Sequence, residues 1–441
     1  MNPQKSPQGR QNFLQRRYAV SLGRRYVLAT AGVVLMGLLG CSNPSDINSA
    51  VAEGSPPRQE AAKPKQINHA VDNQVIAAHT KFGLKLFSEV LKQDSTKNVF
   101  VSPSSVAIAL AMTYNGANGS TQEAMAKALE LQGMNLQQIN AGNAALKALL
   151  EHPDPKVQLT IANSLWANKK IQFNPDFIQR NREFYSAMVR NLDFSDRQAP
   201  SVINKWVSQN TKGKIDKIVD NITPDQVLFL INAIYFKGAW KNEFDKQQTA
   251  NQPFTLASGK QKNHPMMSQS GNYKYLETAD FQAVSLPYGE DGRMSFYVFL
   301  PKQNSSLSAF ENKLNFENWE KWMSQFRNRE GFIRLPKFKM DYEVTLNKSL
   351  EALGMAEAFS DQADFSGMGT NLAISQVKHK TFVEVNEEGT EAAAATSVAI
   401  RVTSAAMNEP FQMIVERPFF CGIRDNQTGT VLFMGSIVEP R

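Results

Sequence analysis

"EEGTEAAAATSVAI", residues Glu387 to Ile400, gives contradictory local signals. Alanine and glutamate favour helix, whereas threonine, valine and isoleucine favour strand. Gly389 sits between the leading acids and Thr390, where a backbone without a Cβ can pivot. Taken alone, the stretch reads as an exposed helix led by acids. Its proper reading depends on what surrounds it.

The chain has 441 residues, 42% of them hydrophobic and 20% charged, enough to bury a large core. Its formal charge of +7 suggests nucleic acid at first sight. Six of those charges are Lys5, Arg10, Arg16, Arg17, Arg24 and Arg25, and residues 1–40 hold no Asp or Glu, which leaves about +1 elsewhere. No nucleic-acid partner is therefore expected. The basic run precedes "YVLATAGVVLMGLLG" (Tyr26 to Gly40), too short for a comfortable membrane span and suited to the apolar part of a signal peptide. "LLGC" resembles a bacterial lipobox, so Cys41 is expected to be lipidated and to become the new N-terminus. Arg24 and Arg25 also suit a twin-arginine signal, although Gly23 stands where Ser or Thr is usual.

Three regions are expected: a lipoprotein signal over 1–40, a lipidated tether over 41–70, and one folded domain over 71–441. The tether is rich in Pro, Ser, Ala, Gln and Asn without apolar periodicity. The expected location is the cell envelope, lipid-anchored on the periplasmic or outer-membrane face or at the cell surface. Only Cys421 remains beyond Cys41, so the domain contains no disulfide, and Cys421 reads as a small buried strand residue.

The first half of the domain is mostly helical. Phe82, Leu86, Phe87, Val90 and Leu91 recur at helical spacing. A second helix begins with Ser102 as cap and Pro103 at the first position, and Gly116 can end it. Ser120 and Glu123 predict a capping box for a third. The second half carries β-rich runs: Val227 to Phe236, Met294 to Pro301, Thr381 to Val385 and Thr430 to Val438. The first run is apolar almost throughout, as a strand covered on both faces would be. Helices first and strands later predict an α+β fold.

Chemistry-bearing motifs are scarce. His69, His79, His152, His264 and His379 show no metal-ligand spacing, and no metal site is expected. There is no phosphate loop and no nucleophile elbow. "SQVK" (Ser375 to Lys378) matches a serine acyltransferase tetrad without that class's companion motifs. No catalytic residue and no enzymatic activity are expected.

Six segments, in order, resemble the serpins, a family of serine protease inhibitors. They are Asn98 to Met125, "TKGKI" (Thr211 to Ile215), Leu230 to Phe244, Leu335 to Leu346, Leu353 to Met368 and Val415 to Pro440. The last departs slightly from the family signature, with Glu416 where Asp or Asn is usual. The resemblance implies a serpin fold with three β-sheets, eight or nine helices and an exposed reactive loop able to enter the central sheet as an extra strand. Loop insertion in serpins is a known case of strand addition and strain release. Ser102, Ser105, Asn232 and His379 match the family's polar network beneath the point where that sheet opens. Lys212, Lys214 and Lys217 read as a solvated helix face in place of a polyanion site, and no cofactor is expected.

With this resemblance the opening stretch reads differently. Glu387, Glu388, Gly389, Thr390, Glu391, Ala392, Ala393, Ala394, Ala395 and Thr396 become the loop hinge. In a strand one face carries Thr390, Ala392, Ala394, Thr396, Val398 and Ile400. Small uncharged side chains there can enter a packed sheet without clash or desolvation. The family's spacing puts the attacked bond between Thr403 and Ser404, suited to elastase-like or subtilisin-like proteases. The alternative, Arg401 to Val402, suits trypsin-like ones. The expectation is a monomeric suicide-substrate inhibitor of serine proteases, with cysteine proteases a lesser target class. The alternative is a non-inhibitory envelope binding protein of the same fold.

Overall fold

A computed structural model describes residues 72–94, 96–151, 153–390 and 409–441. In chain order its elements are α1 (Asn73–Gln93), β1 (Val99–Val101), α2 (Pro103–Tyr114), α3 (Gly119–Ala128), α4 (Leu136–Glu151) and β2 (Val157–Asn168). Next come α5 (Pro175–Tyr185), β3 (Met188–Leu192), α6 (Ala199–Asn210), β4 (Leu228–Ala239), β5 (Ala250–Thr255) and β6 (Gln261–Glu277). β7 (Phe281–Pro287), β8 (Met294–Pro301), α7 (Leu307–Glu311), α8 (Phe316–Gln325), β9 (Arg327–Pro336) and β10 (Phe338–Thr345) follow. The chain closes with α9 (Asn347–Leu350), β11 (Gln376–Val385), β12 (Gly389–Thr390), β13 (Phe411–Ile414), β14 (Phe419–Asp425) and β15 (Val431–Ile437).

α1 starts where the Asp72 carboxylate accepts from the Gln74 amide at 2.7 Å. Its stripe of Phe82, Leu86, Phe87 and Val90 is buried as the spacing predicts. α2 is buried on every side, which fits its nearly continuous apolar sequence. Ser102 does occupy its N-cap, but the hydroxyl donates to the Leu432 carbonyl at 2.6 Å and bonds no helix amide. The predicted Ser120–Glu123 box is absent: Asn118 is the N-cap of α3. Ser120 lies one residue inside the helix, past the cap position, and it and Thr121 both donate to the Glu357 carboxylate at 2.6 Å.

Among the described residues the strands form two hydrogen-bonded sheets. One runs β10-β11-β12-β4-β2-β3, and the other has nine strands, in the order β1-β15-β14-β8-β7-β6-β9-β13 with β5 on β6. The 17-residue β6 pairs with β7 through Lys274–Glu277 and with β9 through Met266–Tyr275. It thereby joins as one sheet the two smaller sheets that the resemblance counts separately. Nine α-helices are present among the described residues.

β4 is buried along nearly its whole length, and its two faces feed different cores. Leu228, Leu230, Ile234 and Phe236 join the main core. Phe229, Ile231, Ala233 and Tyr235 pack with Phe194, and with Ile203 and Val207 of α6. The full apolar run follows from this double burial. Lys212, Lys214 and Lys217 do not form a helix face. α6 ends at Asn210, and Lys212 (φ 54°) and Gly213 (φ 75°) turn the chain away through left-handed conformations. Lys214 then lies over the Phe382 ring, and Lys217 pairs with Asp220 at 2.5 Å.

Candidate functional site: a hinge at the mouth of the sheet

β4 and β11 lie side by side in parallel, paired from Phe229↔Gln376 to Tyr235↔Phe382. Beyond that point the two strands part. The chain leaving β11 at Val385 turns through Asn386–Gly389 and comes back down between them as β12. The Asn386 amide donates to the Gly389 carbonyl at 2.9 Å, and the Asn386 side-chain oxygen accepts from the Glu388 and Gly389 amides at 3.0 and 3.2 Å. Gly389 has φ 150°, and a Cβ there would lie 2.1 Å from the Gly238 carbonyl oxygen and 2.7 Å from the Ala239 Cα. Only glycine fits at this close approach.

β12 pairs on both sides: Thr390 opposes Val385 and Gly238, and Gly389 opposes Ala239. The segment read from sequence as a hinge therefore begins inside the sheet. Thr390 is fully buried, and its hydroxyl is 2.6 Å from that of Tyr288. The Tyr288 ring stacks on Trp240 with centroids 4.5 Å apart and meets Phe236 edge-on at 5.1 Å.

The turn is also held from its outer side. Trp240 donates its indole N–H to the Asn386 carbonyl at 2.8 Å and its amide to the Glu388 carbonyl at 2.9 Å. The Phe244 amide donates to the Glu387 carbonyl at 2.8 Å. The buried Glu387 carboxylate accepts from Thr249 Oγ1 at 2.7 Å and faces Lys337 Nζ at 2.8 Å. Burial alone would raise its pKa, but the Lys337 and Thr249 bonds outweigh burial and hold it below the usual glutamate value. Glu388 is ion-paired with Lys246.

Ser102, Ser105, Asn232 and His379, expected to form a network, are brought together under this mouth, where Asn232 and His379 face each other in register. His379 Nδ1 donates to the Asn232 side-chain oxygen at 2.5 Å, while Nε2 accepts the Ser102 amide at 3.0 Å. The Asn232 amide donates to Ser105 Oγ at 2.6 Å and to Asn163 Oδ1 at 2.5 Å. Burial pushes the His379 pKa down to about 3, so the ring is neutral. Asn163 on β2, directly opposite Asn232, was missed by the sequence reading. Its signal in sequence is weak, because "TIANSLWA" (Thr160 to Ala167) also carries Thr160 and Ser164.

Glu391, Ala392, Ala393, Ala394, Ala395 and Thr396 lie outside the described residues. So do the two candidate bonds at Arg401, Val402, Thr403 and Ser404, together with Cys41, His69 and His152. Ser375 of the acyltransferase-like tetrad accepts the Val227 amide at 2.8 Å through its hydroxyl, a structural bond, and Lys378 faces Glu343 at 3.6 Å. Cys421 is buried in β14 with its thiol pKa pushed far up by burial, the inert packing residue that was expected.

A sheet with a short strand wedged between two parallel neighbours, and a hydrogen-bonded polar seam below the wedge, defines a scaffold into which a longer strand can grow. The family model described as "Serpin (serine protease inhibitor)" matches residues 77–440, and the chain belongs to the serpin family. Serpin B8 of Homo sapiens is 36% identical over 374 residues, covering 82% of this chain and 98% of that one. A leukocyte elastase inhibitor of Homo sapiens is 34% identical over 386 residues, covering 83% and 100%. The crystal structure of tengpin, a thermophilic serpin in its native state, superposes with a TM-score of 0.80 at 33% identity, covering 86% of this chain and 98% of that one.

Proposed function

We propose that this chain is an inhibitory serpin that traps serine proteases as covalent acyl-enzymes. The protease attacks the loop as substrate, and its nucleophile forms an ester with a loop carbonyl. The freed loop then extends β12 down between β11 and β4, carrying the protease with it before the ester is hydrolysed. The chain itself supplies no catalytic group and is consumed.

The observation that carries this reading is Thr390 already seated between Val385 and Gly238, followed in sequence by Glu391 and four alanines. Nothing in the residues that would next face the core exceeds threonine in size until Val398. The likeness to a leukocyte elastase inhibitor supports an elastase-like target. Thr403–Ser404 is the proposed reactive bond, with subtilisin-like proteases as a second class of target and Arg401–Val402 the alternative for trypsin-like ones. Lipidation at Cys41 and a tether over 41–70 would place the inhibitor on a cell envelope.

Incubation with pancreatic elastase tests the proposal. The expected product is an SDS-stable complex together with a released C-terminal fragment beginning at Ser404. Quantitative loop cleavage without complex, by elastase, subtilisin and trypsin alike, would overturn it in favour of a non-inhibitory binding protein.

A further inference from the structure

We propose that Tyr288 is a positioning residue that holds Thr390 as the first rung of the inserted strand, so that insertion extends a nucleus already present in the intact chain. Tyr288 has little freedom to do anything else. It follows β7 directly, its amide donates to the Met294 carbonyl at 2.8 Å, and it bridges to Trp240 through the backbone. Its ring is completely buried between Trp240 and Phe236, which leaves the hydroxyl one direction to point. There it meets Thr390 Oγ1 at 2.6 Å. Each hydroxyl is the other's partner in a site without solvent, so loss of one strands the other.

The pairing matters because of where β12 lies. Bringing a chain back on itself and fixing a turn is the costly step in adding a strand, since the ordering is required before most of the hydrogen bonds form. Here the turn at Asn386–Gly389 is closed and the first pair is formed on both sides. Each further residue forms bonds to β11 and β4 without another closure, and from Tyr235 and Phe382 downward these replace the single pairing those two strands make with each other. The same turn serves the intact and the inserted states, so Glu387 and Glu388 keep their lysine partners while the strand grows. The consequence for inhibition rests on the trapping mechanism proposed above: an insertion that begins from a formed rung competes better with ester hydrolysis.

Tyr288→Phe, Thr390→Val, the double variant and Thr390→Ser test this on the full chain. Hydrogen exchange is measured on the intact protein over Glu387–Thr390. Each of Tyr288→Phe and Thr390→Val is expected to speed exchange there by roughly three- to tenfold. The double variant is expected to be no faster than the faster single, because both remove the same bond. Thr390→Ser keeps the hydroxyl and should match the parent, which a general packing role would not predict. In a second arm, the number of inhibitor molecules consumed per pancreatic elastase trapped should at least double in the first three variants. Unchanged exchange in Tyr288→Phe, or additive effects in the double variant, would overturn the proposal. An absence of complex with the parent chain would defeat the trapping reading alone, while the exchange arm still decides whether Tyr288 holds Thr390.

Discussion

Lys337 Nζ lies 2.8 Å from one carboxylate oxygen of Glu387 and 3.1 Å from the other. This pair ties the turn at the mouth of the first sheet to the junction of β9 and β10, since Lys337 sits between those strands. Glu387 is only 5% exposed, whereas the Lys337 side chain is 37% exposed, so the acid is the member that needs its partner. Glu387→Gln should lower the stability of the intact chain by about 1–3 kcal/mol, discounted from a fully buried pair because Lys337 is part-solvated. Denaturant unfolding of the intact form measures the loss.

Insertion as proposed requires small side chains along the rest of the path. Thr390→Arg would force a charge into a site with no solvent, and Ala392→Arg would do the same one step further down the inserting face. Both variants should still be cleaved by elastase at close to the parent rate while forming little complex. Densitometry of cleaved and complexed bands checks this, and persistent trapping by Ala392→Arg would show that this face does not enter the sheet.

How much of this was legible in sequence depends on which force sets each feature. β4 could be read because burial on both faces demands an unbroken apolar run, and Asn232 stands out within that run as its one polar interruption. Asn163 shares its run with Thr160 and Ser164, so the same logic does not single it out. Ser102 could be placed at a helix start, but its actual acceptor, the Leu432 carbonyl, lies 330 residues away, beyond anything local patterning encodes. Ser120 misled for the same reason, since Glu357 reaches it from a distant turn. Gly389 was read as a point of freedom. The structure shows it fixed by close approach to Gly238, a constraint that depends on a partner strand from another part of the chain.

Buried His379 and half-buried Glu311 give stability opposite dependences on pH. His379, with its pKa pushed down to about 3 by burial, is neutral in the fold but takes up a proton on unfolding below its ordinary 6.5. Stability is therefore lost as pH falls from 6.5 toward 3. Glu311 at the end of α7 has its pKa raised from 4.5 to about 7 by burial, with Ser436 only partly offsetting it. Its contribution is fully present below pH 4.5 and is lost as pH rises through 7. Glu311→Gln should thus unfold at higher denaturant than the parent at pH 8, with the difference gone near pH 4. Equal midpoints at both values would contradict the assignment.

Asn232 connects α2, β2 and β11 through one side chain. Asn232→Ala would leave Ser105, Asn163 and His379 without this partner in a buried seam, at a cost of about 2–4 kcal/mol. Unfolding at pH 7 should register that loss.

On the proposed mechanism the intact chain is a state from which a strand is still missing. Completing β12 adds roughly a dozen residues of ladder, worth on the order of 10 kcal/mol, comparable with a whole domain's stability. The direct measurement is the thermal unfolding midpoint of the intact protein against that of the protein nicked in its loop, with the protease removed. The nicked form should unfold at a much higher temperature. Equal midpoints, or a lower one after cleavage, would mean that the loop does not insert.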